Sequence, residues 1–264
     1  MADDAGARGP GGVRLDVAGG VAVVSIDRPA ARNAIGAATV AELELAVSAI
    51  VADDSVAVVV LTGGGDRAFV SGGDLKELDA VRTHDDTVAM AERRRRVLDR
   101  LADLPVPVIA ALNGHAIGGG AEVALAADIR IAAHDVRIGF NQVKLGVMAG
   151  WGGAERLTAV VGRGKALLAM TSGELYPADA AHALGMIDLV VPRADFTARW
   201  QDLARTIAGN APGANRAIKQ VVSAVAPATH RDLEADSIAA FAPLWTADAH
   251  WDAVDRITSA KGSS

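Results

Sequence analysis

The chain reads as an α/β protein with a mostly parallel sheet and a helical C-terminal third. Three observations predict this. Short apolar, β-branched runs alternate with helical stretches as far as Ala133. Two Gly-rich turns each stand between a strand and a helix. After Gly150 the periodicity is helical almost throughout.

The elements follow in order. Val13 to Val17 and Val21 to Ile26 alternate as strands, with Gly19-Gly20 as a hairpin turn. Thr39 to Val51 has helical periodicity, with Thr39 as the candidate cap. Val56 to Leu61 is a buried strand closed by Thr62 to Asp66. Leu75 to Leu78 starts a helix and Val88 to Leu104 forms a longer one. Within it, Arg93 to Arg96 reads mainly as a solvated face. The preceding His84-Asp85-Asp86 reads as a solvated loop patch. Strand Val106 to Leu112, helix Ala121 to Ala127 and strand Ile129 to Ala133 then imply right-handed parallel crossovers. Asp128, opening that last strand, reads as structural. Beyond Gly150, helices are expected near 154–160, 165–170, 177–184, 194–208, 214–225, 231–241 and 248–257. Only Ile187 to Val191 interrupts as a strand, and Ala211-Pro212-Gly213 and Ala226-Pro227 are breaks.

Composition narrows the function classes. With 264 residues and 51% apolar content, one large domain can bury a full core. Residues 1–12 are Gly-rich and polar and read as a disordered tail without a signal peptide's apolar centre. Pro105, Pro107 and a glycine turn break the most apolar region, so no membrane span is expected. The absence of cysteine excludes thiolate nucleophiles, disulfides and cysteine-bound metals. No histidine spacing suggests a metal site. A net charge of −6 does not suggest nucleic-acid binding, and a cytoplasmic location is expected.

The chemistry concentrates in Asn113 to Glu122. Gly118, Gly119 and Gly120 follow a buried strand and lead into a helix, leaving backbone N–H groups free for close approach. Glu122 lies about one turn on, near an apolar helix start. Burial would raise its pKa and the helix N-terminus would lower it, so its charge state stays open at this level. A second Gly-rich turn, Ser71-Gly72-Gly73-Asp74, also precedes a helix, with Asp74 as cap. Two such loops at one sheet edge can aim N–H groups at a single oxygen.

These segments, with Arg28 to Ala34, Phe69 to Lys76, Pro105 to Glu122, Asp128, Leu145-Gly146, Trp151-Gly152-Gly153 and Ala178 to Gly185, resemble the crotonase, or enoyl-CoA hydratase/isomerase, superfamily. They occur in the family order and cover about residues 13 to 258. The resemblance implies a crotonase-like spiral of ββα units over 13–195. Residues 196–264 would form a helical region for oligomer contacts and the acyl pocket, in a homotrimer or a dimer of trimers. It implies an acyl-CoA substrate and no cofactor beyond its coenzyme A. The Gly73 and Gly119 N–H groups would form an oxyanion hole, and Glu122 would move the proton. Arg28, Ala31, Ala34, Ser71, Gly72, Gly73 and Asp74 would border the CoA nucleotide. Lys76 either approaches it or faces solvent, as does Lys261. Trp151 and His115 are the candidates for the acyl pocket, although each also reads as a packing residue.

The chain departs from that pattern at one decisive position. Family hydratases use two glutamates around one water, and the second falls on Gln142, which cannot exchange a proton near neutral pH. Gln142 is then an auxiliary polar group. Gly118 to Glu122 with Gly150 to Gly153 also resembles the ethylmalonyl-CoA decarboxylase branch, which lacks that glutamate too. A hydratase-like lyase is the leading expectation and a malonyl-type CoA decarboxylase the alternative. A non-catalytic acyl-CoA-binding protein is the alternative from another class.

Overall fold

The computed structural model describes residues 9–225 and 234–261. The first strands, β1 (Val13–Ala18) and β2 (Val21–Ile26), pair antiparallel across Gly19-Gly20. Both glycines adopt positive φ, 57° and 78°, as a tight hairpin turn requires. From β2 the sheet continues in parallel through β3 (Val58–Gly63), β5 (Val108–Leu112), β7 (Ile129–Ala133) and β10 (Leu189–Val191). The runs Val58 to Leu61 and Val108 to Leu112 are buried on both faces, which explains their unbroken apolar sequence. Helices α1 (Ala37–Ala52), α3 (His84–Ala102) and α8 (Phe196–Ala208) pack around this core.

A second sheet escaped the sequence pattern. It orders β4 (Ala68–Val70), β6 (His115–Ile117), β8 (Arg137–Gly139) and β9 (Tyr176–Pro177). Each strand is only two or three residues long, too short to show a period. The Gly-rich turns leave β4 and β6, which carry them into the short helices α2 (Leu75–Leu78) and α4 (Gly119–Leu125). The sheet thus brings both glycine loops to one edge.

Several expectations need correction. Thr39 does not cap α1. Gly36 is the N-cap, and Thr39 is buried in the first turn, where its hydroxyl donates to Gly11 O at 2.9 Å. Residues 9–12, expected in the tail, dock on α1, because Glu42 accepts the N–H groups of Gly11 and Val13. Thr83 caps α3, so His84, Asp85 and Asp86 form its first turn rather than a loop. The arginine run is only half solvated. Arg93 and Arg96 are exposed, but Arg94 and Arg95 are buried. Arg95 pairs with Glu155 at 2.6 Å, and Asp99 joins it to Arg156.

The remaining helices are α5 (Gly153–Val161), α6 (Arg163–Ser172), α7 (Ala178–Leu184), α9 (Pro212–Val225), α10 (Glu234–Thr246) and α11 (Asp248–Lys261). Asp128 is structural, accepting from Val108 N and from the buried Lys219. Helix α10 packs on α3, and α11 packs on the single-turn helix Gln142–Leu145. The break at Ala226-Pro227 and residues 1–8 lie outside the described residues. Among the described residues, no helix is long and apolar enough to cross a membrane.

Candidate active site

The glycine loops and α4 meet at a cavity of about 1180 Å³. Gly118 is the N-cap of α4, and its own N–H donates to Gly139 O, which fixes the turn to β8. The other loop is held to residue 35, because Ile35 N donates to Gly72 O and Asp74 N to Ile35 O. Among the described residues, neither the Gly73 nor the Gly119 N–H has a hydrogen-bond acceptor. Both glycines line the cavity.

Their lack of a side chain is a steric requirement. A Cβ on Gly119 would stand 2.2 Å from Cζ3 of Trp151. One on Gly73 would stand 2.5 Å from Cδ1 of Leu78 and 3.6 Å from Cζ2 of Trp151. The Trp151 ring therefore packs directly on the Gly119 backbone and close to Gly73. Trp151 is buried and lines the cavity.

Glu122 reaches the same cavity from the first turn of α4 and is 2% exposed. Its Oε2 accepts the N–H groups of Trp151 and Gly153, at 2.7 and 2.9 Å. Its Oε1 accepts from Nε2 of Gln142 at 3.1 Å. Burial pushes the Glu122 pKa up to about 7. The two backbone donors, the nearby Arg156 cation and the Gln142 amide oppose that rise without cancelling it. Burial thus wins the contest that the sequence left open. Asp66, Asp79 and Asp135 also line the cavity, but all three are exposed. Glu122 is the one buried carboxylate among them. Its near-neutral pKa makes both protonation states available around pH 7.

The other expected site residues divide into two groups. Ala31, Ala34, Ser71, Gly72 and Lys76 line the cavity with Gly73. Arg28 and Asp74 do not. They pair with each other at 3.0 Å, Arg28 also donates to Ala34 O, and Asp74 caps Lys76 N. Their work is to hold the two loops together. His115 belongs to β6 beside Ala68, with an exposed ring whose Nδ1 accepts from Arg137 N. It reaches the cavity wall as a sheet residue rather than as part of an apolar pocket. Lys261 ends α11, and its side chain lies outside what is described.

The sequence assigned the rest of the lining only by region, the Ala31–Ala34 turn and the C-terminal helices, without naming the residues. Arg32, Lys144 and Arg193 add cations, and Arg32 sits in the left-handed region at φ 52° within the Ala31–Ala34 turn. Leu78, Met90, Met148, Phe241, Trp245 and Trp251 form the apolar side. Only the strained turn at Arg32-Asn33 had a local signature. The apolar residues come from separated helices.

This architecture is a crotonase fold, with two glycine loops and a buried glutamate on one cavity. Residues 16–244 match the family described as enoyl-CoA hydratase/isomerase, and the chain belongs to it. A short-chain-enoyl-CoA hydratase of Clostridium acetobutylicum is 37% identical over 211 residues, 80% of each chain. A 2,3-dehydroadipyl-CoA hydratase of Escherichia coli is 36% identical over 206 residues, 76% of this chain and 78% of that one. The crystal structure of an enoyl-CoA hydratase from Bacillus anthracis superposes with a TM-score of 0.78 at 32% identity, covering 86% of this chain and 89% of that one.

Proposed function

We propose that this protein is an enoyl-CoA hydratase-like lyase, acting on an acyl-CoA thioester through its enolate. The observation that carries the reading is a buried Glu122, with a pKa of about 7, in the same cavity as the unpaired Gly73 and Gly119 N–H groups. Those two donors would take the thioester oxygen as it gains charge. An interaction stronger with the enolate than with the neutral ester lowers the barrier.

Hydration then needs one proton moved twice. A water oxygen bonds to the β-carbon while ionised Glu122 takes a proton from that water. The enolate returns its electron pair to the α-carbon, which takes the proton from Glu122. The product has gained one H and one OH. Gln142 donates to Glu122 Oε1 and lines the cavity, so its role would be to orient the carboxyl group and the water. Arg32, Lys76 and Lys144 offer positive charge for the phosphates of CoA.

The same Gln142 favours a second reading. A neutral amide stands where the resemblance expects a second carboxylate. Decarboxylation needs only one proton donor: the bond to CO₂ breaks, its electron pair forms the enolate, and protonated Glu122 protonates the α-carbon.

Mass-resolved turnover of crotonyl-CoA beside methylmalonyl- and ethylmalonyl-CoA separates the two. Gain of one water on crotonyl-CoA is the expected result, and Gln142→Glu should raise that rate. Loss of CO₂ without hydration would overturn the hydratase reading. Acyl-CoA binding with no turnover of any ester would overturn both.

A further inference from the structure

Four arginine side chains are buried among the described residues, and three meet a carboxylate. Arg95 pairs with Glu155 and Asp99, Arg130 with Asp188, and Arg156 with Asp99. Arg94 is the exception. It is 6% exposed, and no carboxylate lies within ion-pair distance of it among the described residues. Its Nη1 makes one long bond, 3.4 Å, to Met90 O in its own helix, and its Nε has no partner. Glu77, whose charge acts on it, is already held by Ala37 N at 2.6 Å. Burial lowers the Arg94 pKa to about 10, so the group remains a cation at neutral pH.

A guanidinium out of water and without a counter-charge is costly, and a methionine would fill the same space without that cost. The Trp151 ring, 5.4 Å away, offsets only part of it. The location suggests what the charge is for. Met90, one helical turn before Arg94, lines the cavity. So does Trp151, whose ring faces Arg94 and also packs on Gly119. The unpaired cation thus stands behind Met90 and Trp151, among the apolar walls of the cavity that holds Glu122. Met90 is unbranched and flexible, so a chain of suitable length can displace it.

We infer that the acyl group taken by this cavity ends in a carboxylate that pairs with Arg94, so that the substrates are CoA thioesters of dicarboxylic acids. This rests on the acyl-CoA reading above and adds a substrate class to it. The carboxylate concerned is remote from the reacting carbons. Gly119 touches the Trp151 ring directly, whereas Arg94 stands 5.4 Å from the ring centre and is not part of the cavity lining. Pairing also stabilises a carboxylate against loss of CO₂, because that reaction carries its charge away. A remote carboxylate keeps its charge throughout hydration, so pairing gives binding and specificity without raising the barrier.

The test measures binding rather than turnover. Calorimetry on the full chain would compare saturated succinyl-, glutaryl- and adipyl-CoA with butyryl-, valeryl- and hexanoyl-CoA of matched length. At least one diacid ester should bind tenfold or more tightly than its neutral match. Arg94→Met should abolish that preference while leaving neutral-ester affinity within about twofold, and Arg94→Lys should keep part of it. Equal affinities for every matched pair in the parent protein, or equal weakening of both classes by Arg94→Met, would overturn the inference. If Arg94→Met does not fold, the parent comparison still decides. A diacid preference without turnover of any enoyl ester would sink the hydratase reading alone. Failure of every CoA ester to bind would sink both.

Discussion

Two buried polar clusters flank the first turn of α5, and they are built from opposite materials. On one side Glu122 meets neutral donors, the N–H groups of Trp151 and Gly153 and the amide of Gln142. On the other, Glu155 and Asp99 meet the guanidinium groups of Arg95 and Arg156. Arg156 links them, since its Nη1 donates to Trp151 O. The second cluster sets charge against charge and clamps α3 to α5. The first orients a carboxyl group without a contacting cation to neutralise it, so burial governs its proton. One helical turn of α5 therefore serves two buried carboxylates, Glu122 through the Gly153 N–H and Glu155 within it, and leaves the first titratable near neutral pH while the second is tied up in ion pairs.

The most severe break in this contrast is Glu122→Gln. The amide can keep the backbone donors but cannot move a proton, so turnover should fall by about 10²–10⁴. Steady-state kinetics on the preferred ester checks this, and a change of less than tenfold would remove Glu122 from the proton path. The same variant should be more stable at neutral pH. Glu122 is raised from 4.5 to about 7 in the folded state, so the folded protein holds a proton that the unfolded chain releases. Parent stability should therefore fall between about pH 4.5 and 7 and level off above, by about 3 kcal/mol in all. Denaturant titrations across that range should show the slope in the parent and not in Glu122→Gln.

Glu155→Ala attacks the other cluster. It removes the 2.6 Å partner of Arg95, keeps the longer contact to Asp99 at 3.4 Å, and should cost about 3 kcal/mol of stability, at the lower end for a broken buried pair. Denaturant midpoints measure this, and the apparent pKa of turnover should stay in place. A matching displacement of both would mean that the clusters act as one. The smallest effect belongs to Arg156→Met. Removing that cation removes a charge that favours ionised Glu122, so the pH–rate profile should move upward. A downward move would contradict the assigned balance.

The Glu122 cluster was more legible in sequence than the clamp. Gly118 to Glu122 is a local pattern, since turn, close approach and carboxylate fall within five residues. The positions of the main-sheet strands also followed from alternation in the first two and from apolar runs in the rest. Arg94 and Arg95 were misread because a helical arginine run looks solvated until residues far along the chain, Trp151 for the first and Glu155 for the second, are brought beside it. The second sheet was invisible for a related reason. Its strands are stabilised by partners distant in sequence, as when Ala68 meets His115, and two or three residues carry no periodicity. Trp151 lies between these cases. Its place beside the glycine motif suggested the cavity wall, but only the folded chain shows its ring on Gly119.

That contact constrains the order in which the two positions can change. While Trp151 stands, any side chain at residue 119 collides with the indole at 2.2 Å, so the glycine cannot be exchanged first. The reverse order is open, because a smaller residue at 151 removes the obstacle while glycine still tolerates the space. A lineage leaving this arrangement must begin at the tryptophan. In doing so it would also remove the ring that Arg94 faces, so remodelling that wall would change the surroundings of a buried charge at the same step.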